Sequence, residues 1–264
     1  MSSIPVLDQI LDRVRERLQE ERVRRPLAEL RRGISRRPGD FRQHLLRSPA
    51  PRVIAEVKRQ SPSAGAIAPH ADPLRVAAAY RQSGAAALSV LTERDHFGGS
   101  PETLQAIRAA HPEAPLLMKD FVIDEYQLVR AAHDGADAML LILAALGPLR
   151  YRELQQQAAA LGLSVLVEVH DEAELDDALA LGAELIGVNN RNLRTMQVSL
   201  TVSERLSRRV PPHVTLVSES GLRSGADLQR LAALGYQAFL VGTSLMQASD
   251  PGAALARLRA EAAA

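Results

Sequence analysis

The chain contains no cysteine and no tryptophan, and only four phenylalanines and four tyrosines in 264 residues. Without cysteine it has no disulfide, thiolate nucleophile or Cys-ligated zinc site. The 7 histidines fall into no HExxH-type pattern, so neither a metal nor any other cofactor is expected. No apolar run approaches the roughly 18 residues of a membrane span. The opening MSSIPVLDQILDRVRERLQEE also lacks the uninterrupted apolar centre of a secretory signal. The expectation is a cytoplasmic protein with no membrane partner.

Lysine is nearly absent as well: of the 32 Lys and Arg side chains, only Lys58 and Lys119 are lysines. Arginine stays charged at any useful pH, whereas lysine can give up a proton and recover it. Two lysines left by codon bias would fall anywhere, but two kept for proton transfer should fall at a site. The formal net charge of +1 hides an uneven distribution, because residues 1–52 hold thirteen Arg against seven acidic side chains. Asp8, Asp12, Glu16, Glu20 and Glu21 alternate with these arginines, unlike a nucleic-acid-binding arm, so no nucleic-acid partner is expected.

A hydrophobic content of 46% is ample for a buried core. Short apolar runs alternate with amphipathic helical stretches along the chain. The strand candidates are Val53–Lys58, Ala87–Leu91, Pro115–Lys119, Ala138–Ile142, Ser164–Val169, Leu185–Val188, Val214–Val217 and Ala238–Val241. Helical patterns follow them, beginning near Pro73, Pro101, Asp124, Pro148, Asp171, Ser199, Ser224 and Ser244. Ser83–Gly84, Asp134–Gly135, Leu161–Gly162, Leu181–Gly182 and Leu234–Gly235 resemble helix C-caps. Eight βα units in residues 49–264, undivided by a Pro/Gly/Ser linker, predict an α/β fold, a single (β/α)8 TIM-barrel domain. A doubly wound open sheet is the alternative, but no GxGxxG follows the first strand. Residues 1–48 form an N-terminal helical extension, in which Leu7, Ile10, Leu11, Val14 and Leu18 make an apolar stripe for packing on the barrel.

Barrel active sites lie at the C-terminal ends of the strands, so polar residues closing apolar runs are the candidates. The first run ends Ala55-Glu56-Val57-Lys58, and a period of two puts Glu56 and Lys58 on one face. Lys119 ends the third run and Glu168 lies at the end of the fifth. The sixth leads into Asn189-Asn190-Arg191-Asn192 and the seventh into Ser218-Glu219-Ser220-Gly221. Both lysines of the chain therefore fall in this ring. Buried ion pairs often cost folding energy, so a ring of them at a barrel mouth favours chemistry over structural pairing. Gly-bearing turns at Ser220-Gly221 and Gly242-Thr243 follow the last two strands, where barrels commonly hold a phosphate.

The stretches Ile54-Ala-Glu-Val-Lys-Arg-Gln-Ser-Pro-Ser63, Leu88-Ser-Val-Leu-Thr-Glu93, Met118-Lys-Asp-Phe121, Leu166-Val-Glu-Val-His170, Gly187-Val-Asn-Asn-Arg-Asn-Leu193, Val217-Ser-Glu-Ser-Gly221 and Val241-Gly-Thr-Ser-Leu-Met246 resemble the indole-3-glycerol-phosphate synthase family of tryptophan biosynthesis. The likeness runs in order from about residue 4 to the end of the chain. It implies a lyase acting on 1-(2-carboxyphenylamino)-1-deoxyribulose 5-phosphate, closing the indole ring with loss of carbon dioxide and water. By this resemblance Lys119 is the general acid at the ketone, with Glu56 beside it keeping the ammonium protonated. Lys58 binds the carboxylate and acts as the later acid, Glu168 is the base, and Asn189 positions a substrate hydroxyl. Arg191 suits the anthranilate carboxylate or a bracing pair with a catalytic carboxylate. Ser61, Ser220, Gly221, Gly242 and Thr243 line the phosphate end, and Glu219 joins the substrate-binding set. Phe97 and Phe121 sandwich the aromatic ring, with core packing the alternative for Phe121. His170 reads as a helix-entry residue, with proton shuttling as its alternative.

The chain departs from the family pattern at Ala64, His96 and Met196, positions that bear on substrate fit rather than on proton transfer. A rival phosphate-binding barrel, phosphoribosylanthranilate isomerase, commonly uses a Cys that this chain lacks. A barrel that binds a sugar phosphate without turning it over is the remaining reading, against which stand both lysines and Glu168. The only expected partner is the phosphorylated small molecule; the sequence is compatible with a monomer and leaves the oligomeric state open.

Overall fold

The computed structural model describes residues 6–35, 38–193 and 195–264. The extension supplies α1 (Val6–Arg24), α2 (Leu27–Arg32) and α3 (Phe41–Arg47). Then follow β1 (Val53–Val57), a hairpin of β2 (Gln60–Ser61) and β3 (Gly65–Ala66), α4 (Pro73–Gln82), β4 (Ala87–Leu91), α5 (Pro101–Ala110), β5 (Leu116–Lys119), α6 (Glu125–Asp134) and β6 (Ala138–Ile142). The chain continues through α7 (Leu143–Ala160), β7 (Ser164–Val169), α8 (Glu172–Ala180), β8 (Leu185–Asn189), α9 (Thr201–Leu206), β9 (Thr215–Glu219), α10 (Gly225–Ala233), β10 (Ala238–Val241), α11 (Thr243–Met246) and α12 (Pro251–Ala263). The long strands close into a parallel barrel in the order β1-β10-β9-β8-β7-β6-β5-β4, so the expected (β/α)8 fold is the one observed.

The helix starts follow the capping chemistry. Asp72, Ser100, Asp124, Asp171, Ser224 and Asp250 each accept a backbone N–H of the first turn, and Pro73, Pro101 and Pro251 occupy early positions where no N–H is needed. Within α7 the non-helical backbone of Gly147 (φ 67°) separates a short turn, residues 143–146, from the helix that begins at Pro148 as expected. One helical expectation needs correction. The segment expected near Ser244 divides into α11 and α12, because Asp250 and Pro251 start a new helix. Strands β8 and β9 run further than expected, as Asn189 and Glu219 pair in register.

Period-two alternation sorts the side chains into two shells. Val53, Ala55, Leu88, Val90, Leu116 and Met139 face the surrounding helices. Ile54, Leu117, Leu140, Leu166, Val217 and Leu240 fill the barrel interior together with Phe41 and Leu45 of α3. Phe41 and Leu45 are fully buried, each worth about 1.5–3 kcal/mol of burial. Polar contacts seat α3 at the N-terminal strand ends: Phe41 N donates to Ser164 Oγ (3.3 Å) and Arg42 Nε to Thr215 Oγ1 (2.9 Å). Ile10, Val14 and Leu18 of α1 pack with Tyr126 and Val129 of α6. The extension thus packs on the barrel as expected, but at two places: α3 closes the N-terminal end while α1 reaches the other mouth.

Candidate active site

A cavity of about 640 Å³ opens at the C-terminal ends of the strands, and every residue given a catalytic or substrate-binding role from the sequence lines it, while His170 lies outside the lining. Its floor is charged. Lys119, at the end of β5, places Nζ 2.8 Å from Glu219 Oε2 and 3.1 Å from Glu168 Oε2. Lys58 Nζ lies 2.6 Å from Glu56 Oε2. The three carboxylates are almost wholly buried, whereas both ammonium groups keep some access to the cavity. Glu56, expected beside Lys119, makes its direct contact with Lys58 and acts on Lys119 through charge proximity. Glu219, expected among the substrate-binding residues, is the shortest ion-pair partner of Lys119.

The electrostatics of this floor have identifiable causes. Burial works against the Lys119 ammonium, but Glu219, Glu168 and Glu56 outweigh it and hold its pKa well above the ordinary lysine value. Burial also works against an ionised Glu168, yet Lys119 and His170 prevail and hold it well below the carboxylate range. For Glu219, burial and the Glu168 charge together exceed the pull of Lys119, so its carboxyl is pushed up. Among the described residues Glu219 Oε1 has no hydrogen-bond partner. Two carboxylates share one ammonium here, and Glu219 is the one that holds a proton more readily.

Glu168 is held from three sides. Asn189 Nδ2 donates to its Oε1 (3.0 Å), Lys119 meets Oε2, and His170 Nε2 approaches Oε1 at 3.2 Å from behind. Asn189 Oδ1 in turn accepts Arg191 N (3.0 Å), which ties the loop after β8 to the same cluster. Arg191 Nη1 donates to Met196 O (3.1 Å). Among the described residues Arg191 forms no ion pair with a carboxylate, so the bracing pair considered from sequence is not formed. A half-buried guanidinium without a counter-ion favours an anion supplied by a ligand.

Phe97 and Phe121 have ring centroids 6.0 Å apart with planes inclined by 40°. An aromatic ring stacked between two others needs about 7 Å between parallel faces, twice an ordinary carbon contact. The two phenylalanines therefore form one continuous apolar wall, and the expected sandwich is not available in this geometry. In the turn after β9, Ser220 and Gly221 adopt successive positive φ angles of 64° and 84°. A Cβ on Gly221 would come 2.7 Å from Val198 Cγ1. A Cβ on Gly242 would overlap Glu56 Oε2, so this glycine makes room for a carboxylate of the floor as well as exposing backbone.

Val6, Leu7 and Ile10 of α1 also line the cavity, which sequence reasoning did not anticipate. Leu7 and Ile10 belong to the recognised apolar stripe, but periodicity says only that a helix has a buried face, not what covers it. Ala64 and Met196, two of the departures from the family pattern, line the cavity too. His96 is half-buried beside Glu93, with Nδ1 3.7 Å from Glu93 Oε1.

The family model for indole-3-glycerol phosphate synthase matches residues 7–258. Indole-3-glycerol phosphate synthase 1 of Streptomyces coelicolor is 46% identical over 254 residues, covering 96% of this chain and 94% of its own. The enzyme of the same name from a Parafrankia species is 48% identical over 247 residues, covering 93% and 91%. Among solved structures, 3-hexulose-6-phosphate synthase of Salmonella typhimurium superposes with a TM-score of 0.65 at 14% identity, over 79% of this chain and 97% of its own. Thiamine phosphate pyrophosphorylase from Pyrococcus furiosus gives 0.62 at 16%, over 83% and 96%. These last two speak to the barrel alone. The chain belongs to the indole-3-glycerol phosphate synthase family, lyases of tryptophan biosynthesis that close the indole ring with loss of carbon dioxide.

Proposed function

We propose that the cavity takes 1-(2-carboxyphenylamino)-1-deoxyribulose 5-phosphate with its phosphate against the Ser220-Gly221 and Gly242-Thr243 turns and Ser61. Its aromatic ring lies along the Phe97–Phe121 wall and its carboxylate faces Lys58 and Arg191. Lys119 is the general acid. It protonates the ketone oxygen as the ring carbon bearing the carboxylate bonds to the ketone carbon, and carbon dioxide leaves with the ring regaining its aromatic electrons. Lys58 protonates the departing hydroxyl. Glu168 takes a proton from the methylene next to nitrogen, and Asn189 holds a substrate hydroxyl. The observation that carries this assignment is the Lys119 ammonium between two buried carboxylates, with the chain's other lysine on the same floor.

The proton count closes. Each turnover delivers two protons to oxygen and removes one from carbon, so one is drawn from solvent. The proton taken by Glu168 returns to Lys119 across 3.1 Å, leaving Lys58 to be recharged from solvent. Purified protein given this substrate should release one carbon dioxide for each indole formed, read by indole fluorescence. Tight binding without fluorescence would make the protein a sugar-phosphate binder instead. No helix among the described residues is long and apolar enough to cross a membrane, in keeping with a cytoplasmic protein acting on a small soluble substrate.

A further inference from the structure

The cation behind Glu168 has no part in the roles assigned above. His170 lies outside the cavity lining, one residue beyond β7, with its side chain 12% exposed. Its Nε2 is 3.2 Å from Glu168 Oε1, off the hydrogen-bond axis, and its Nδ1 is 3.1 Å from Glu174 Oε2 in the first turn of α8. The same Glu174 oxygen accepts the His170 backbone N–H at 2.8 Å. A ring held between two carboxylates is satisfied only as imidazolium. A neutral ring would turn a lone pair toward one of them, a repulsive contact in a buried setting.

This placement is asymmetric in a way that bears on the chemistry. Glu168 and Glu219 both touch Lys119, and with one ammonium between them either could keep the charge while the other takes a proton. Of the two, Glu168 alone has a second cation within contact among the described residues. The charged neighbours of the ring are Glu168 from β7 and Glu174 from α8, with Lys119 of β5 beyond Glu168.

Building on the acid and base roles above, we propose that His170 is a positioning residue which, strapped between Glu174 and Glu168 as an imidazolium, makes Glu168 rather than Glu219 the ionised carboxylate beside Lys119. It does not touch substrate and acts through Glu168. The electrostatic balance agrees, since Glu168 and Glu174 overcome burial and push the His170 pKa up to about 10. Glu174 is the outer anchor: it lies behind the barrel wall and away from the cavity.

The first test needs no substrate. Nitrogen NMR of the histidine rings in the full-length protein should show both His170 nitrogens protonated at pH 8, and Glu174→Gln should bring the ring's titration down toward the ordinary histidine range. A neutral His170 at pH 7 in the parent protein would overturn the proposal, whatever the enzyme turns over. The second test is kinetic. His170→Gln should lower kcat about tenfold, change KM less than about threefold, and move the acid limb of the kcat/KM profile up by about one pH unit. Glu174→Gln, which keeps the ring in place, should move that limb in the same direction by less. A role confined to holding α8 would lower Tm in both variants and leave the limb where it was, which would refute the assignment. Absence of synthase turnover in the parent protein would instead strike at the acid and base roles, leaving the ring's charge to be judged by NMR.

Discussion

Gly187 of β8 lies directly against the Glu219 carboxylate of β9, so closely that a methyl group on Gly187 would overlap Glu219 Oε1. The absence of a side chain on one strand is what lets its neighbour aim a carboxylate at Lys119. Gly187→Ala should displace Glu219 and lower kcat by at least about tenfold, at a stability cost of about 1–3 kcal/mol from overpacking. Steady-state kinetics and thermal melts check this together. Unchanged kcat would mean that the Glu219 contact with Lys119 contributes nothing to turnover.

Lys119→Arg retains charge but supplies a planar guanidinium that is a poor proton donor near neutral pH. Loss of a general acid typically costs about 10²–10⁴ in rate, whereas a charge clamp would be largely repaired by arginine. We expect kcat to fall into that range, with substrate still bound through the proposed phosphate turns and Arg191. A kcat within about threefold of the parent would pass the first proton transfer to Lys58.

The two glycines at the proposed phosphate end should separate kinetically. Gly221→Ala forces a side chain onto a φ of 84° and against Val198, away from the charged floor, so it should raise KM more than it lowers kcat. Gly242→Ala intrudes on Glu56 and should lower kcat as well, by disturbing the Glu56–Lys58 pair. Identical effects in the two variants would count against this division.

Arg17 of α1 reaches Glu93 (3.2 Å), Asp95 (3.5 Å) and Asp120 (3.7 Å), next to Lys119 in the chain. Glu93 accepts the backbone N–H groups of Asp95, His96 and Phe97, and thereby shapes the loop that carries the aromatic wall. Arg17→Met leaves this buried cluster without its cation. We expect a loss of about 1–3 kcal/mol in stability and a rise in KM of about three- to tenfold. A melt shift with KM unchanged would confine Arg17 to holding the extension.

Phe41→Ala empties the plug at the far end of the barrel. A fully buried Phe truncated to Ala costs about 3–5 kcal/mol, so Tm should drop by several degrees while the folded fraction keeps its kcat. A loss of kcat in protein shown to be folded would mean that the plug transmits strain to the opposite mouth.

Much of the site was legible because its signals are local. Glu56 and Lys58 share a face by the two-residue period of one strand, and Lys119, Glu168 and Glu219 stand out as charges closing apolar runs. The capping residues Asp124, Asp171 and Ser224 announced their helices in the same local way. What failed was reasoning about partners. The Phe97–Phe121 sandwich was an inference about distance between segments that the geometry assigned differently, and the direct contacts of Lys119 with Glu219 and of Glu56 with Lys58 were not foreseen, although Glu56 does support the Lys119 charge.

The sequence by itself determined the succession of strands and helices, the inward face of each strand and the residues available to the chemistry, because each depends on side chains a few positions apart. Tertiary structure alone decided which ammonium meets which carboxylate. Lys119 and Glu219 are separated by 100 residues, and their 2.8 Å contact depends on closure of the barrel, on the register of β8 against β9, and on a glycine that leaves the carboxylate room. Pairing energies act through space and fall steeply with distance, so no period along the chain encodes them.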